Sequence, residues 1–276
     1  MSREAPDPDR PYTGPWTIAA ARRFFEPARA PLRVRVDREW TTPGLSWREI
    51  RFDVRDGLSS PATVVLPAGG DPVRGVVLAH GGSDDGRRFH VDDGAEMARA
   101  GAAVLLPVTR SGPGPDIDVA VAGIRDAVLT LRRALTVLLE WVGAPRDVSY
   151  VGHSAGGGQG AYLSAVEPRL RRVVVMSFGA GTMLRIGRGQ REASGLPWTD
   201  ADTAAIDWFD AARYVAHSSA PLLFQHGRHD PVVPTGEARR LYEAAAEPRQ
   251  WREYDCDHNV ADDRAARVDR AAFLAS

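Results

Sequence analysis

From residue 75 onward, short apolar runs alternate with helix-like stretches, and this alternation constrains the fold more than any other feature. The runs do not alternate with polar residues, so they predict strands buried on both faces. They are GVVLA (75–79), AAVLLPV (102–108), DVSYVG (147–152), RRVVVMSF (171–178), PLLFQHG (221–227) and QWREYD (250–255). The clearest helices are predicted over 117–142, 155–166, 236–247 and 261–274. The pattern predicts an α/β fold, with a mostly parallel, twisted sheet flanked by helices.

The chain before residue 75 has a different pattern. Residues 1–15 are rich in proline and poor in apolar residues, which predicts a flexible N-terminal tail. Residues 16–276 are expected to form a single α/β domain that begins with a helix. Residues 47–54 alternate apolar and polar side chains and residues 61–67 are bounded by turn residues. Together they predict an antiparallel pair of strands at the edge of the sheet.

Residues 179–219 form an interval too long for a simple crossover between two strands. The sequence indicates an irregular stretch followed by a helix, and we expect a small cap insertion over the functional site. Five side chains are candidates for substrate binding, although core packing explains the four large ones equally well. They are Ser83, Phe89, Met183, Trp198 and Trp208.

The composition argues against several classes of function. The formal net charge is −1, so no global field attracts nucleic acid or an anionic membrane. Cys256 is the single cysteine, which rules out a disulfide within the chain. The N-terminus has no apolar signal core, and no apolar run approaches the ~20 residues of a membrane span. We therefore expect a cytoplasmic protein, monomeric or homodimeric, without nucleic-acid or membrane partners.

The stretch VSYVGHSAGGG (148–158) carries the strongest functional signal. It contains the G-x-S-x-G pattern between a predicted strand and a predicted helix, the context in which this pattern marks a nucleophile. Gly152 and Gly156 would allow a sharp turn that lifts the hydroxyl of Ser154 above the sheet. The first N–H of the following helix, that of Ala155, would then stabilise a developing oxyanion.

A serine hydroxyl needs a base, and His258 is the best candidate. It follows the last predicted strand and precedes the last helix, so it is expected at the same edge of the sheet as Ser154. Asp230 follows the strand 221–227 and is the preferred acid to orient the imidazole. Asp207 and Asp210 remain alternatives to it, followed by Asp255 and Asp257. No metal is expected, because the acidic residues and the cysteine beside His258 lack a second cluster of ligands.

A glycine loop follows the strand 75–79 and is predicted to supply the second oxyanion donor. The backbone N–H of Gly82 is the first choice for that donor, and Ser83 is the next. His80 is expected to brace this loop rather than to take part in chemistry.

With GHSAGG, HGGS and HGRHDPVVP in this order, the chain resembles the α/β-hydrolase superfamily over roughly residues 47–275. The dienelactone hydrolase and prolyl-oligopeptidase-like branches are the most similar. The resemblance implies Ser154 as nucleophile, Asp230 and His258 as its partners, and Ala155 with Gly82 as oxyanion donors. Dienelactone hydrolases use cysteine where this chain has serine, which places that particular activity in doubt. The chain also has no room for the β-propeller of the oligopeptidases.

These features predict a serine hydrolase that cleaves a small carboxylic ester, lactone or thioester through an acyl-enzyme, with no cofactor. An acyltransferase, a cyclising thioesterase or a carbon–carbon bond hydrolase could use the same triad. A binding protein on a hydrolase scaffold would be expected to lose a triad member, and here all three candidates are present.

Overall fold

The computed structural model describes residues 11–82, 84–109 and 116–276. The strands in these ranges are β1 (Arg35–Thr42), β2 (Leu45–Arg55), β3 (Leu58–Pro67), β4 (Arg74–Ala79), β5 (Ala102–Pro107), β6 (Val148–His153), β7 (Leu170–Met176), β8 (Leu222–Gly227) and β9 (Arg249–Tyr254). They form one sheet in the order β1-β2-β3-β5-β4-β6-β7-β8-β9. Strands β4 to β9 pair in parallel, whereas β1, β2 and β3 are antiparallel to their neighbours.

Helices cover both faces of this sheet. They are α1 (Ile18–Phe24), α2 (Val91–Arg99), α3 (Ile117–Thr136), α4 (Ala155–Val166), α5 (Thr182–Ala193), α6 (Asp200–Trp208), α7 (Ala211–Val215), α8 (Thr235–Ala244) and α9 (Arg264–Ala275). A π-helical segment, Val137–Val142, continues α3, and short 3-10 turns lie at Pro11–Thr13, Arg87–Phe89 and Val260–Asp262. Within the described ranges, no helix combines the length and apolar character needed to cross a membrane. The predicted fold class is confirmed.

The sheet separates two apolar cores because successive residues of a strand point to opposite faces. In β4, Val77 packs in the core shared with α1, α3, α4 and α8, whereas Val76 and Leu78 pack in the core shared with α2 and α9. The central strands are buried on both faces, which explains their continuous apolar sequences. The loops after these parallel strands therefore emerge together at the carboxyl edge of the sheet.

The edge of the sheet differs from the prediction. Residues 47–54 and 61–67 do lie in antiparallel partners, β2 and β3, but β1 pairs with β2 and forms the edge. Strand β1 is almost wholly exposed and rich in charged residues, so no apolar face marks it in the sequence. Helix α2 was also not predicted. Its interior Gly94 lies close to Leu106, where a Cβ would be 3.2 Å from a side-chain methyl.

Two other segments also differ from the sequence-based description. Residues 1–10 of the predicted tail lie outside the described part of the chain. Tyr12, in the short turn Pro11–Thr13, contacts the domain, because its hydroxyl donates a hydrogen bond to Asp118 at 2.6 Å. The interval 179–219 contains three helices, α5, α6 and α7, instead of an irregular stretch and one helix. Of the described residues that line the cavity beside Ser154, none belongs to this interval, and its role as a cap stays a prediction.

Candidate active site

Ser154 occupies the sharp turn between β6 and α4. Its φ of 54° and ψ of −119° lie outside the regions that L-residues ordinarily adopt. A Cβ at Gly152 would lie 2.2 Å from the carbonyl oxygen of Gly156, and one at Gly156 would lie 2.7 Å from the carbonyl oxygen of Ala79. Both distances are too short for any larger residue. The turn therefore depends on glycine at these two positions.

Hydrogen bonds from three directions fix this turn. The Ser154 N–H donates to the Met176 carbonyl at the end of β7 at 2.9 Å, and the Gly158 N–H donates to the Ser154 carbonyl at 3.1 Å. The hydroxyl of Tyr150, fully buried, donates to the Gly156 carbonyl at 2.6 Å. Burial raises the pKa of this phenol, so it remains a donor. The strained backbone is thus held by neighbours on both sides.

His258 and Asp230 form a hydrogen-bonded pair, with 2.8 Å between imidazole Nδ1 and carboxylate Oδ2. The Asp230 side chain has no exposed surface, and its Oδ1 accepts the N–H groups of Val232 and Val233 at 2.8 and 2.9 Å. Burial opposes ionisation of this carboxyl, but the hydrogen bonds from His258 and the two N–H groups outweigh it and lower its pKa. An ionised carboxylate only accepts, so Nδ1 of His258 carries the proton and Nε2 is left as a base.

The other acidic candidates have different contacts. Asp207 pairs with Arg213, and Asp210 accepts the N–H groups of Gly181 and Ala212 at 2.9 and 2.8 Å. Both lie beside α7, in the segment that follows β7. Asp230 is the carboxylate that contacts the ring of His258.

Ser154 and His258 line the same cavity, which has a volume of about 270 Å³. Among the described residues, no hydrogen bond joins the Ser154 hydroxyl to this ring. In structures without substrate, such bonds are often long and tighten only when substrate binds. The cavity thus brings the predicted nucleophile and the predicted base together without fixing their mutual alignment.

The backbone of His258 is held by two donors. His153 Nε2 and the Ser177 hydroxyl each donate to the His258 carbonyl oxygen at 2.8 Å. Burial lowers the pKa of His153 to about 4, so this ring is neutral at physiological pH and donates through its single N–H. His153 therefore holds the loop that carries His258, the predicted base. No pattern in the sequence indicates this contact, because His153 and His258 are 105 positions apart and Ser177 follows β7 without any motif.

The loop after β4 approaches the nucleophile closely. A Cβ at Gly81 would lie 3.1 Å from the Cβ of Ser154. The N–H of Gly82 has no hydrogen-bond partner among the described residues, and Ala155 is the first residue of α4, where the N–H has no acceptor within the helix. These two N–H groups are the predicted oxyanion donors. Ser83, the other candidate in this loop, lies outside the described residues.

His80 braces this loop from below. Its Nδ1 donates to the Gly81 carbonyl at 2.6 Å, and its Nε2 accepts the Thr109 N–H at 3.4 Å. Burial lowers the pKa of the ring, which suits a neutral imidazole with one donor and one acceptor. A Cβ at Gly86 would overlap the ring at 2.6 Å, so the loop wraps tightly around His80.

Arg87 ties the far end of the same loop to the sheet. Its guanidinium donates to both carboxylate oxygens of Asp85, at 2.9 and 2.7 Å, and also to Glu49 of β2 at 2.7 Å and Thr63 of β3 at 3.1 Å. The hydrogen bond from Arg87 lowers the pKa of Asp85. A bidentate arginine–carboxylate pair restricts orientation as well as distance. We infer that Arg87 limits the movement of the predicted oxyanion loop.

The predicted substrate-binding side chains lie in different environments. Phe89 lines the cavity beside Ser154 and is 63% exposed. Trp208 is 2% exposed and packs against Phe24 and Tyr214. It is therefore a core residue, which is the alternative that the sequence left open. Met183 packs partly buried against the same core, and Trp198 donates from its indole N–H to Thr203 at 2.7 Å. Neither lines the cavity of Ser154 as described.

Sequence reasoning overlooked His90, Asn259 and Asp262, which also line the cavity. Asn259 and Asp262 follow His258 in a turn whose direction cannot be read from the sequence. Within the described ranges, no group of three or more histidine, cysteine, aspartate and glutamate residues is arranged to hold a metal ion.

Comparisons with known proteins agree with this architecture. No protein-family model matches the chain. An uncharacterised protein found in two strains of Mycobacterium tuberculosis is 23% identical over 212 residues, which cover 74% of this chain and 69% of that protein. Among solved structures, acetyl xylan esterase 1 from a Thermoanaerobacterium species has a TM-score of 0.77 and 17% identity, covering 93% of this chain and 92% of that chain.

Two further solved structures are similar. An acetyl xylan esterase from a Paenibacillus species has a TM-score of 0.75 and 17% identity, covering 94% of this chain and 92% of that chain. A proposed dienelactone hydrolase from Klebsiella pneumoniae has a TM-score of 0.61 and 15% identity, covering 88% of this chain and 99% of that chain. At these identities the likeness concerns the fold. The chain has the α/β-hydrolase fold, and its structural neighbours include esterases.

Proposed function

We propose that this protein is a serine hydrolase that cleaves a small carboxylic ester, lactone or thioester through an acyl-enzyme. One observation carries the proposal: an imidazole whose Nδ1 is bonded to a fully buried carboxylate lines the same cavity as a serine on a strained turn. A protein that only binds a ligand has no need of a polarised base beside a strained hydroxyl.

In the proposed mechanism, Ser154 Oγ attacks the acyl carbonyl while His258 Nε2 removes its proton. The N–H groups of Ala155 and Gly82 hold the resulting oxyanion. The bond to the leaving group then breaks, and His258 returns the proton to the departing alcohol or thiol. Water, deprotonated by the same ring, attacks the acyl-enzyme and releases the acid and free Ser154. Asp230 keeps the proton on Nδ1 and stabilises the imidazolium in both halves.

Short acyl groups are the preferred substrates in this proposal. The cavity beside Ser154 is small, at about 270 Å³, and two of the similar solved structures are acetyl xylan esterases by name. Acetyl esters are therefore the first to test. Nitrophenyl esters of increasing acyl length, a lactone and an acetyl thioester should be compared by kcat/KM, with the released acid identified to separate hydrolysis from acyl transfer.

The decisive experiment combines turnover with covalent labelling. We expect a fluorophosphonate to add to the Ser154 peptide, seen by mass spectrometry, and Ser154→Ala to lose both labelling and turnover while its circular dichroism is unchanged. His258→Gln should lose activity, whereas His229→Gln is the matched control, because His229 is an exposed histidine that pairs with Asp255. Wild-type rates in Ser154→Ala, or labelling at another residue, would refute the assignment.

A further inference from the structure

A second histidine–carboxylate pair lies beside the cavity of Ser154, and the proposed mechanism does not use it. His90 precedes α2, and Asp93 lies in its first turn. His90 is one of the residues that line the cavity, although only 3% of it is exposed. Its Nδ1 lies 3.8 Å from Asp93 Oδ2, beyond hydrogen-bond distance, and is buried without a partner. No hydrogen bond among the described residues involves its Nε2 either.

Asp93 is buried and ionised. Arg267 Nε lies 3.0 Å from its Oδ1, and Arg270 Nη2 lies 3.3 Å from its Oδ2. Burial opposes ionisation, but His90 and the two arginines outweigh it and lower the pKa of the carboxyl. Two guanidinium groups already balance this carboxylate, so it does not require a charged His90. The carboxylate attracts the ring proton to Nδ1, which leaves Nε2 as an acceptor.

Among the described residues, neither nitrogen of the His90 ring has a hydrogen-bond partner, and Nδ1 is the one that is fully buried. Leaving a buried polar group unpaired is costly, so such groups normally have partners. The ring of His153 is the nearest aromatic neighbour, with centroids 5.7 Å apart at 62°, a geometry of packing rather than of hydrogen bonding. Because Nδ1 faces Asp93, a partner for the unbonded Nε2 is expected to enter through the cavity that His90 lines.

We propose that His90 is a specificity-determining residue whose Nε2 accepts a hydrogen bond from a hydroxyl group of the substrate. The inference rests on the proposed hydrolase function and narrows it, because the ester must carry a free hydroxyl near the scissile bond. A site that holds an acceptor for a hydroxyl disfavours the analogue that lacks it, since the acceptor then stays buried and unpaired. The hydroxyl can belong to either the alcohol or the acyl side of the ester.

The test compares esters that differ by one hydroxyl replaced by methyl. Ethylene glycol monoacetate against propyl acetate examines the alcohol side, and ethyl lactate against ethyl isobutyrate examines the acyl side. Each kcat/KM is divided by the rate constant of hydroxide-catalysed hydrolysis, which removes differences in intrinsic reactivity. At about pH 8, above the ordinary titration range of histidine, we expect wild type to prefer the hydroxylated member of one pair about five- to tenfold.

Three variants then assign the preference to this residue. His90→Phe and His90→Met remove the acceptor, so the normalised ratio should fall to about one, whereas His90→Gln keeps an acceptor and should retain part of it. Because each ratio is taken within one variant, a general loss of activity cancels. Two substitutions of different shape guard against one that fails to fold. His229→Gln, on the surface, should leave the ratio unchanged.

The outcomes separate the inference from the function on which it rests. A wild-type ratio near one for both pairs, or a full preference retained in both His90→Phe and His90→Met, overturns the role of His90 while ester cleavage stands. Absence of turnover of every ester, together with no labelling of Ser154, overturns the hydrolase proposal and the inference with it.

Discussion

Replacing Ser154 by glycine should stabilise the protein while removing its proposed activity. The backbone of this residue, at φ 54° and ψ −119°, is in a conformation that side chains disfavour and glycine tolerates. Ser154→Ala removes the same hydroxyl but keeps the Cβ and the strain. The difference in stability between the two variants therefore contains the strain and the greater freedom of glycine in the unfolded chain, but no contribution from the hydroxyl.

The expected size follows from two opposing terms. Strain at a residue in a sparsely populated region amounts to about 1–3 kcal/mol. The greater freedom of glycine in the unfolded chain offsets about 0.5–1 kcal/mol of this. We expect Ser154→Gly to be about 1 kcal/mol more stable than Ser154→Ala, equivalent to roughly 2–4 °C in Tm for a chain of this size.

Guanidinium unfolding and calorimetry would measure this difference. Ser194 provides a matched control, because it is an exposed serine at the end of α5 with an ordinary φ of −88°. There, glycine should be equal to or less stable than alanine by up to about 1 kcal/mol. If the stability of glycine relative to alanine is no higher at position 154 than at position 194, the turn holds no strain that its side chain imposes, and the reasoning is wrong.

Three further predictions concern the surroundings of the turn. Asp230→Asn should lower kcat about ten-thousand-fold in ester assays, because the ring of His258 then loses the carboxylate that sets its tautomer. Glu237→Gln should lower the unfolding free energy at neutral pH by about 1–3 kcal/mol in urea titrations, since Glu237 accepts hydrogen bonds from Arg185 at 2.7 and 3.0 Å. Arg87→Met should lower both Tm and kcat, the latter about tenfold, by releasing the oxyanion loop.

The second of these predictions has a defined pH dependence. Burial opposes ionisation of Glu237, but hydrogen bonds from Arg185 and Thr182 outweigh it and lower its pKa. A lowered folded pKa gives stability that is present above the unfolded value of about 4.3 and is lost as pH falls through the folded value. The gap between wild type and Glu237→Gln should therefore close in acid below about pH 4. A gap that stays constant to low pH would contradict this account. Wild-type kinetics in Asp230→Asn or in Arg87→Met would contradict the roles given to those two residues.

The sequence predicts the central elements well because strands buried on both faces require apolar residues, and these are visible in the composition. Strands β4 to β8 are nearly continuous apolar runs, since helices cover both faces. Helix α4 begins at the residue that the G-x-S-x-G pattern indicates, Ala155. The turn needs glycine at fixed positions for steric reasons, so local sequence alone is enough to locate it.

Other elements are hidden because their sequences satisfy different demands. Strand β1 has one covered edge and no buried face, so its charged residues carry no strand pattern. Helix α5 contains Gly187 and Gly189, which lower helix propensity, and tertiary contacts override this. A Cβ on Gly187 would lie 3.5 Å from ring atoms of Trp198. Such packing is a property of the folded chain.

The contacts around the site were the least predictable, because they join residues far apart in the chain. The pairing of Asp93 with Arg270 spans 177 positions, and that of His153 with the His258 carbonyl spans 105. Neither pair of residues forms a recognisable sequence motif. His90 is notable only for being buried, and burial of one polar residue at the start of a helix cannot be read from a single sequence.

The anchors of the site act on loops rather than on reacting atoms. His153 and Ser177 hold the His258 carbonyl, Arg87 holds the oxyanion loop, and Arg267 donates to the Ala261 carbonyl at 3.0 Å, three residues beyond the base. Among the described residues, no hydrogen bond joins Ser154 to His258, so the proposed mechanism requires their alignment to be completed as substrate binds, and these anchors would limit the movement of each loop. Loss of an anchor should therefore lower kcat without moving the pH profile, because the Asp230 carboxylate that polarises the base stays in place.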